Sequence, residues 1–233
     1  MELNKLTGLV LDKKDLSNGD REIIFLDKNR GKISLLIKGI GKSKNREVYS
    51  TDILVFSEFI SYESGVVSKV ALLDPLRELK EKDFKLKCSL YILFILKEVI
   101  PFHGGREIYN LVGKMLFYLK RAHTKVEILT IVFIFFNTLL QREGLSFTPD
   151  EKNFDLVMKN GIIDSKNFKE FASKKKLFLE ILKNSNYEKI VNSKLNLKEI
   201  SIILQLLEIH INNFLNLNIN FGNFMKGFYN ERD

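Results

Sequence analysis

The sequence predicts an α+β protein in two parts: a small five-stranded β-barrel over residues 1–73, then an all-α helical bundle over residues 74–233. Three observations predict it. Apolar residues alternate with polar ones in short runs as far as Leu73. Gly, Asn and Ser punctuate those runs. At Asp74-Pro75 the apolar period lengthens from two to the three-to-four of a helix, and it stays helical to the end.

The elements follow in order. Thr7-Gly8-Leu9-Val10-Leu11 reads as a first strand, and Asp15 to Gly19 as the turn after it. Arg21 to Leu26 is a second strand and Lys32 to Lys38 a third, with Ile33, Leu35 and Ile37 on one face. Ile53 to Ile60 is a fourth. Ser64-Gly65 turns into a fifth, Val66 to Leu73. Five short strands with glycine-bearing turns suggest a closed barrel, and the OB-fold has that strand count. Among Phe25, Tyr49, Phe56, Phe59 and Tyr62, most are expected in the core, since aromatics on short strands are mainly packing residues.

In the second part, Leu76, Leu79, Phe84, Leu86 and Leu90 begin a long amphipathic run that is apolar nearly all round at Tyr91 to Leu96, the mark of a central helix. Pro101 to Gly105 is a loop. Arg106 to Lys120 and Lys125 to Arg142 are helices, the latter stopping at Gly144. Thr148-Pro149-Asp150-Glu151 has the form of a helix start. Phe168 to Leu182, Leu197 to Leu215 and Phe221 to Phe228 continue the helical period, with Asn196 as a cap before Leu197.

Composition narrows the partners. The formal net charge is +8 and the sequence pI about 9.3, which favours a polyanion, nucleic acid first and an acidic protein segment second. A single cysteine, Cys88, excludes an intrachain disulfide and fits a reducing compartment. Met1 to Lys5 lacks the apolar stretch of a signal peptide, and the greasiest run, Ile128 to Phe136, is far shorter than the ~20 residues a membrane span needs.

The charge is most concentrated between Lys28 and Arg46. Lys28, Arg30, Lys32, Lys38, Lys42, Lys44 and Arg46 lie there with no Asp or Glu among them, around the apolar Ile33 to Ile37. A strand that runs into a cationic, Gly-punctuated loop presents charge to a phosphate backbone, and these seven are the candidate nucleic-acid-binding residues. Lysine runs also occur as plain solvated surface.

Catalytic patterns fail. Gly41-Lys42-Ser43 resembles the end of a phosphate-binding loop, but the glycine required five residues earlier is Leu36. His103, His123 and His210 have no ligand partner at helical spacing. His103-Gly104-Gly105 has the form of an oxyanion loop without any G-x-S-x-G nucleophile, and reads as a connection between helices. Cys88 sits on an apolar helix face as a small core residue. No enzyme is expected, and no cofactor.

On these residues the chain resembles the bacterial DNA repair protein RecO, a recombination mediator. The resemblance is carried by Thr7 to Leu11, by Asp15-Leu16-Ser17-Asn18-Gly19-Asp20-Arg21-Glu22-Ile23-Ile24, and most clearly by Arg30-Gly31-Lys32-Ile33-Ser34-Leu35-Leu36-Ile37-Lys38-Gly39 with the basic Gly41-Lys42-Ser43-Lys44 loop behind it. Weaker similarity continues through Leu90-Tyr91-Ile92-Leu93 and Leu206 to Phe228. It implies a cytoplasmic, nucleoid-associated protein that binds single- and double-stranded DNA through the OB-fold and helical parts. Such a protein anneals complementary strands. It works with RecR and single-strand DNA-binding protein, whose acidic tail would dock on the helical part, to load the recombinase RecA in RecF-pathway repair. Many members carry a four-cysteine zinc cluster after the helix that here ends near Gly144. Between Thr148 and Lys176 this chain has no cysteine, so no metal is expected, and Phe154, Phe168 and Phe171 are expected to pack in its place. An RNA-binding OB-fold protein and a protein-binding adaptor remain as alternatives on the residues alone.

Overall fold

Alternation of inward and outward side chains, strict in the fourth strand and interrupted in the others, builds the first half. The structure is a computed structural model that describes residues 3–43, 47–62, 66–146, 165–184, 190 and 195–224, with backbone alone for residues 3, 165–172, 184, 223 and 224. Strands β1 (Leu3–Asp15), β2 (Arg21–Asp27), β3 (Gly31–Ile37), β4 (Phe56–Tyr62) and β5 (Val67–Asp74) form one antiparallel sheet in the order β3-β2-β1-β4-β5. Val10, Ile23, Phe25, Leu35, Ile37 and Phe59 meet on its inner side. Phe25 and Phe59 pack edge to face with ring centroids 4.9 Å apart. Burying a ring of this kind stabilises by about 1.5–3 kcal/mol. Of the other β-region aromatics, Phe56 and Tyr62 are half-buried and Tyr49 is exposed.

The strand count and the OB-like order agree with the sequence expectation, but the barrel is not closed. The β3 and β5 edges meet at one parallel bridge, Leu36 to Val66, in place of a continuous ladder. That bridge joins the end of β3 to the approach of β5, so only the strand tips come together. The fourth strand also starts later than alternation implies. Leu54 takes a left-handed backbone (φ 61°) and breaks the run, while Leu54 N–H and Val55 C=O both bond to Val10. A 3-10 turn at Val48–Thr51 fills the segment before it.

Asp27 organises the β2–β3 turn. Its buried carboxylate accepts from the backbone N–H of Thr7 (2.9 Å), Asn29 (2.9 Å) and Arg30 (2.8 Å). Three donors satisfied by one acid fix the turn that ends at Gly31, whose φ is +74°.

After Asp74 the described residues are mainly helical, as the change of period predicts. It forms α1 (Arg77–Lys80), α2 (Asp83–Val99), α3 (Ile108–Arg121), α4 (Lys125–Arg142), α5 (Ser165–Asn184), α6 (Leu197–Leu215) and α7 (Phe221–Phe224). The amphipathic run from Leu76 is broken once. Lys82 takes an extended backbone, and Asp83 starts α2 with its acid at the helix N-terminus. Both α4 and α6 begin with a reciprocal capping box, Thr124 with Glu127 and Asn196 with Glu199.

The chain divides into two compact units, Met1–Leu116 and Phe117–Asp233, with α3 running through the division. In the first, α2 packs against β1. In the second, α4 packs against α6, Asn137 donates to the Leu182 carbonyl at 3.0 Å, and Lys174 pairs with the buried Glu199. Among the described residues no helix is long and apolar enough to cross a membrane. The helix start at Thr148 to Glu151, Phe154, the side chains of Phe168 and Phe171, and the end of the Phe221 to Phe228 segment lie outside the described residues.

Candidate nucleic-acid interface

The outer face of β1, β2 and β3 is a grid that the strand register sets. Since Ile23, Phe25, Ile33, Leu35 and Ile37 point inward, the residues between them point out. Read across the sheet, Lys14, Glu22 and Leu36 make one row, Asp12, Ile24 and Ser34 the next, and Leu9, Leu26 and Lys32 the third. A β-bulge between Val10 and Asp12 makes this possible. Val10 is inward, and simple alternation would send Asp12 and Lys14 inward after it. The extra residue turns them out.

The third row is covered. Leu9 and Leu26 are fully buried, and Lys32 is only 5% exposed. The Lys32 backbone pairs with the loop after α2, its N–H donating to Gly104 (2.9 Å) and its carbonyl accepting from His103 (2.8 Å). Its ammonium donates to the Lys97 carbonyl (2.6 Å) and stands 4.8 Å from the centre of the Phe102 ring. Desolvation lowers the Lys32 pKa, with Glu98 acting against that shift and Lys97 adding to it. So Lys32 lies apart from the exposed cations of its run. The loop from Pro101 to Gly105, which the sequence offers as a mere connection, is pinned to the β3 edge.

The other two rows stay open and floor a cleft of about 330 Å³ lined by Asp12, Lys13, Lys14, Glu22, Ile24, Lys32, Lys97 and Phe102. Most of its charges already have partners. Lys97 pairs with Asp12 at 3.0 Å, Lys13 with Asp52 at 2.6 Å, and Glu22 accepts from the Ser34 hydroxyl at 2.8 Å. Partial burial opposes the Lys97 charge, but the Asp12 bond and the neighbouring Glu98 outweigh it and raise its pKa. Lys14 is exposed and makes no ion pair among the described residues.

The remaining candidate cations divide between the two ends of β3, ~20 Å apart at the rise of a strand. Lys28 and Arg30 are exposed on the β2–β3 turn, where Arg30 donates to the Asn4 side chain at 2.6 Å. Lys38 and Lys42 are exposed at the far end. There Gly39 N–H donates to Asp20 Oδ1 (2.6 Å), Gly41 N–H to the Gly19 carbonyl (3.0 Å), and the Lys42 stem lies along Gly19. The loop after β3 is therefore held to the β1–β2 turn, at the end of the sheet where Lys14 lies. Lys44 and Arg46 fall outside the described residues. Sequence reading missed Lys14, Lys97 and Phe102. The bulge hides the first, and only folding brings the other two to the sheet.

No donors exist for a four-thiolate zinc cluster, because Cys88 is the chain's one cysteine. It is buried, and desolvation pushes its thiol pKa far up. Among the described residues, no three His, Cys, Asp or Glu side chains form a metal-holding group.

Comparison with known proteins gives three similar chains, each a DNA repair protein RecO. That of Acetivibrio thermocellus is 27% identical over 103 residues, covering 43% of this chain and 41% of its own. That of Clostridium novyi is 24% identical over 151 residues (63% of this chain, 58% of its own), and that of Alkaliphilus metalliredigens 24% over 147 residues (61% and 59%). The matches span between about two fifths and three fifths of the length of these curated relatives. No protein-family model matches the chain.

Proposed function

We propose that this protein is a non-enzymatic, DNA-binding mediator of recombinational repair. On this reading it binds and anneals single-stranded DNA and helps load the recombinase in RecF-pathway repair. Its partners are RecR and the acidic tail of single-strand DNA-binding protein, and the cytoplasm is its compartment. The observation that carries the reading is the open outer face of β1–β3, with exposed Lys14, Lys38 and Lys42 at one end and Lys28 and Arg30 at the other. An OB-type sheet uses this face and its adjoining loops to hold oligonucleotides. Lys44 and Arg46, next along the chain from Lys42, belong to the proposed interface. Lys32 contributes by fixing the Phe102 loop. Similarity to three DNA repair proteins supports the repair setting.

The test is an annealing assay with complementary strands coated by single-strand DNA-binding protein. Addition of this protein is expected to speed duplex formation, and structured RNA to compete less well than single-stranded DNA. Stronger competition by RNA would transfer the same face to an RNA-binding role. No annealing and no DNA binding would sink the reading.

A further inference from the structure

We infer that the cleft on the outer face takes one unpaired nucleobase, stacked on Phe102, while the phosphates remain on the rim. This rests on the DNA-binding reading and names what that face recognises: the exposed base of a single strand.

The first argument is how Phe102 is held. Phe102 is 54% exposed, on a loop constrained at several of its other residues. His103 next to it takes a left-handed backbone at φ 63°, which a non-glycine residue resists. Gly105 is at φ +77°, and a Cβ there would come within 2.6 Å of Ile100. Two backbone hydrogen bonds to Lys32 fix the middle of the loop. Single exposed aromatics are ordinary. One held out by a strained and clamped loop, at the wall of a cleft, fits strain kept for a function.

The second argument is size and charge. At about 330 Å³ the cleft is at the small end of ligand sites, which begin near ~300 Å³. Its lysines are largely occupied: Lys97 by Asp12, Lys13 by Asp52, and Lys32 by the Lys97 carbonyl and the ring. Glu22 and Asp12 line the cleft beside these lysines, and Asp12 is the partner of Lys97. Ammoniums already paired hold a phosphate less well, whereas a base edge brings N–H donors that the Glu22 carboxylate accepts. Lys14 at the mouth is left to meet the backbone. Bases locked in a duplex have no face to offer Phe102, so the cleft acts only on single strands.

The experiment uses the full chain, a single-stranded oligonucleotide carrying 2-aminopurine, and a duplex of the same length. Phe102→Ala is expected to lower single-strand affinity by roughly 5- to 150-fold, the range for losing one aromatic–base stack. It should abolish the 2-aminopurine quenching on binding and leave duplex affinity as in the unsubstituted protein. Phe102→Trp should keep both the affinity and the quenching. If Phe102→Ala binds single strands as well as the parent, the base site is wrong and the cationic interface stands. Equal losses for single strand and duplex would assign Phe102 a merely structural role, and that also overturns the inference. A parent protein that binds neither DNA removes the base site together with the DNA-binding reading.

Discussion

At one end of β3, Lys32 is buried beneath a helix end and a loop, its ammonium tied to the Lys97 carbonyl. At the other end, Lys38 and Lys42 are exposed beside the β1–β2 turn. All three belong to one cationic run, and residue type does not separate them. What separates them is whether another element covers them. Over Lys32 the chain returns after α2 and bonds to the strand edge. Over the Lys14–Glu22–Leu36 row nothing among the described residues does so, and the sheet stays open there. The same strand thus anchors its sheet through Lys32 at one end, beside the exposed Lys28 and Arg30 of its turn, and leaves the sheet face open at the other.

Two glycines give the largest test of this contrast. Gly31 opens β3 and Gly39 follows it, and both have a left-handed backbone, at φ +74° and +62°. A Cβ at Gly31 would lie 2.0 Å from the Gly104 carbonyl oxygen, inside the clamped loop, while one at Gly39 meets nothing within 4 Å. Gly31→Ala therefore adds a backbone clash to the left-handed strain and should cost about 2–5 kcal/mol. Gly39→Ala carries the strain alone, about 1 kcal/mol. Urea unfolding of the two variants measures the difference. Equal losses would mean that the loop gives way easily and that the covered end is not the anchored one.

The second test concerns charge. Up to three to five of the exposed cations can meet one strand, so single-stranded DNA affinity should fall with salt at a log–log slope of roughly −2 to −3.5. Reversing Lys14 and Lys42 to Glu should weaken binding and flatten that slope by about 1.4, with the fold intact because both side chains are exposed. The comparison is a double reversal of the exposed Lys176 and Lys183 on α5, which changes net charge equally and leaves the sheet untouched. Matched losses from the two double variants would reduce the open end to ordinary solvated surface.

Most elements were legible, because their signals are local. The α4 bounds follow from periodicity and Gly144, and α6 starts where Asn196 and Glu199 make a capping box. The open barrel was not legible, since closure depends on how far the tips of β3 and β5 overlap, and strand count says nothing about that. Nor was the late start of β4, which turns on one left-handed leucine. In the candidate site, alternation correctly sent Ile33, Leu35 and Ile37 inward. It misplaces Lys14 because of one bulged residue, and it cannot anticipate that a loop some seventy positions later would bury Lys32. Local patterns gave which cations are near one another in the chain. Only the pairing of distant segments decides which of them face water.

The smallest effect is a pH dependence at the covered end. Burial lowers the Lys32 pKa in the fold, while in the unfolded chain it keeps the ordinary value near ~10.4. Below the folded pKa both states hold the proton, and the fold bears the full cost of a buried ammonium. Between the folded pKa and ~10.4 the unfolded chain still holds a proton that the folded chain has released, so this residue's contribution to stability rises with pH. Other groups move the opposite way in alkali: desolvation, aided by Asp27, raises the Tyr109 pKa, and Lys97 is raised as well. The Lys32 contribution therefore has to be isolated by difference. Lys32→Met keeps a long apolar stem under Phe102 and removes the titrating group. The stability of the parent minus that of Lys32→Met should increase as pH climbs toward ~10.4 and then level off. A parent-minus-Met difference that stays flat or falls over the same range would show that the ammonium is not desolvated, and the contrast between the two ends of β3 would lose its electrostatic half.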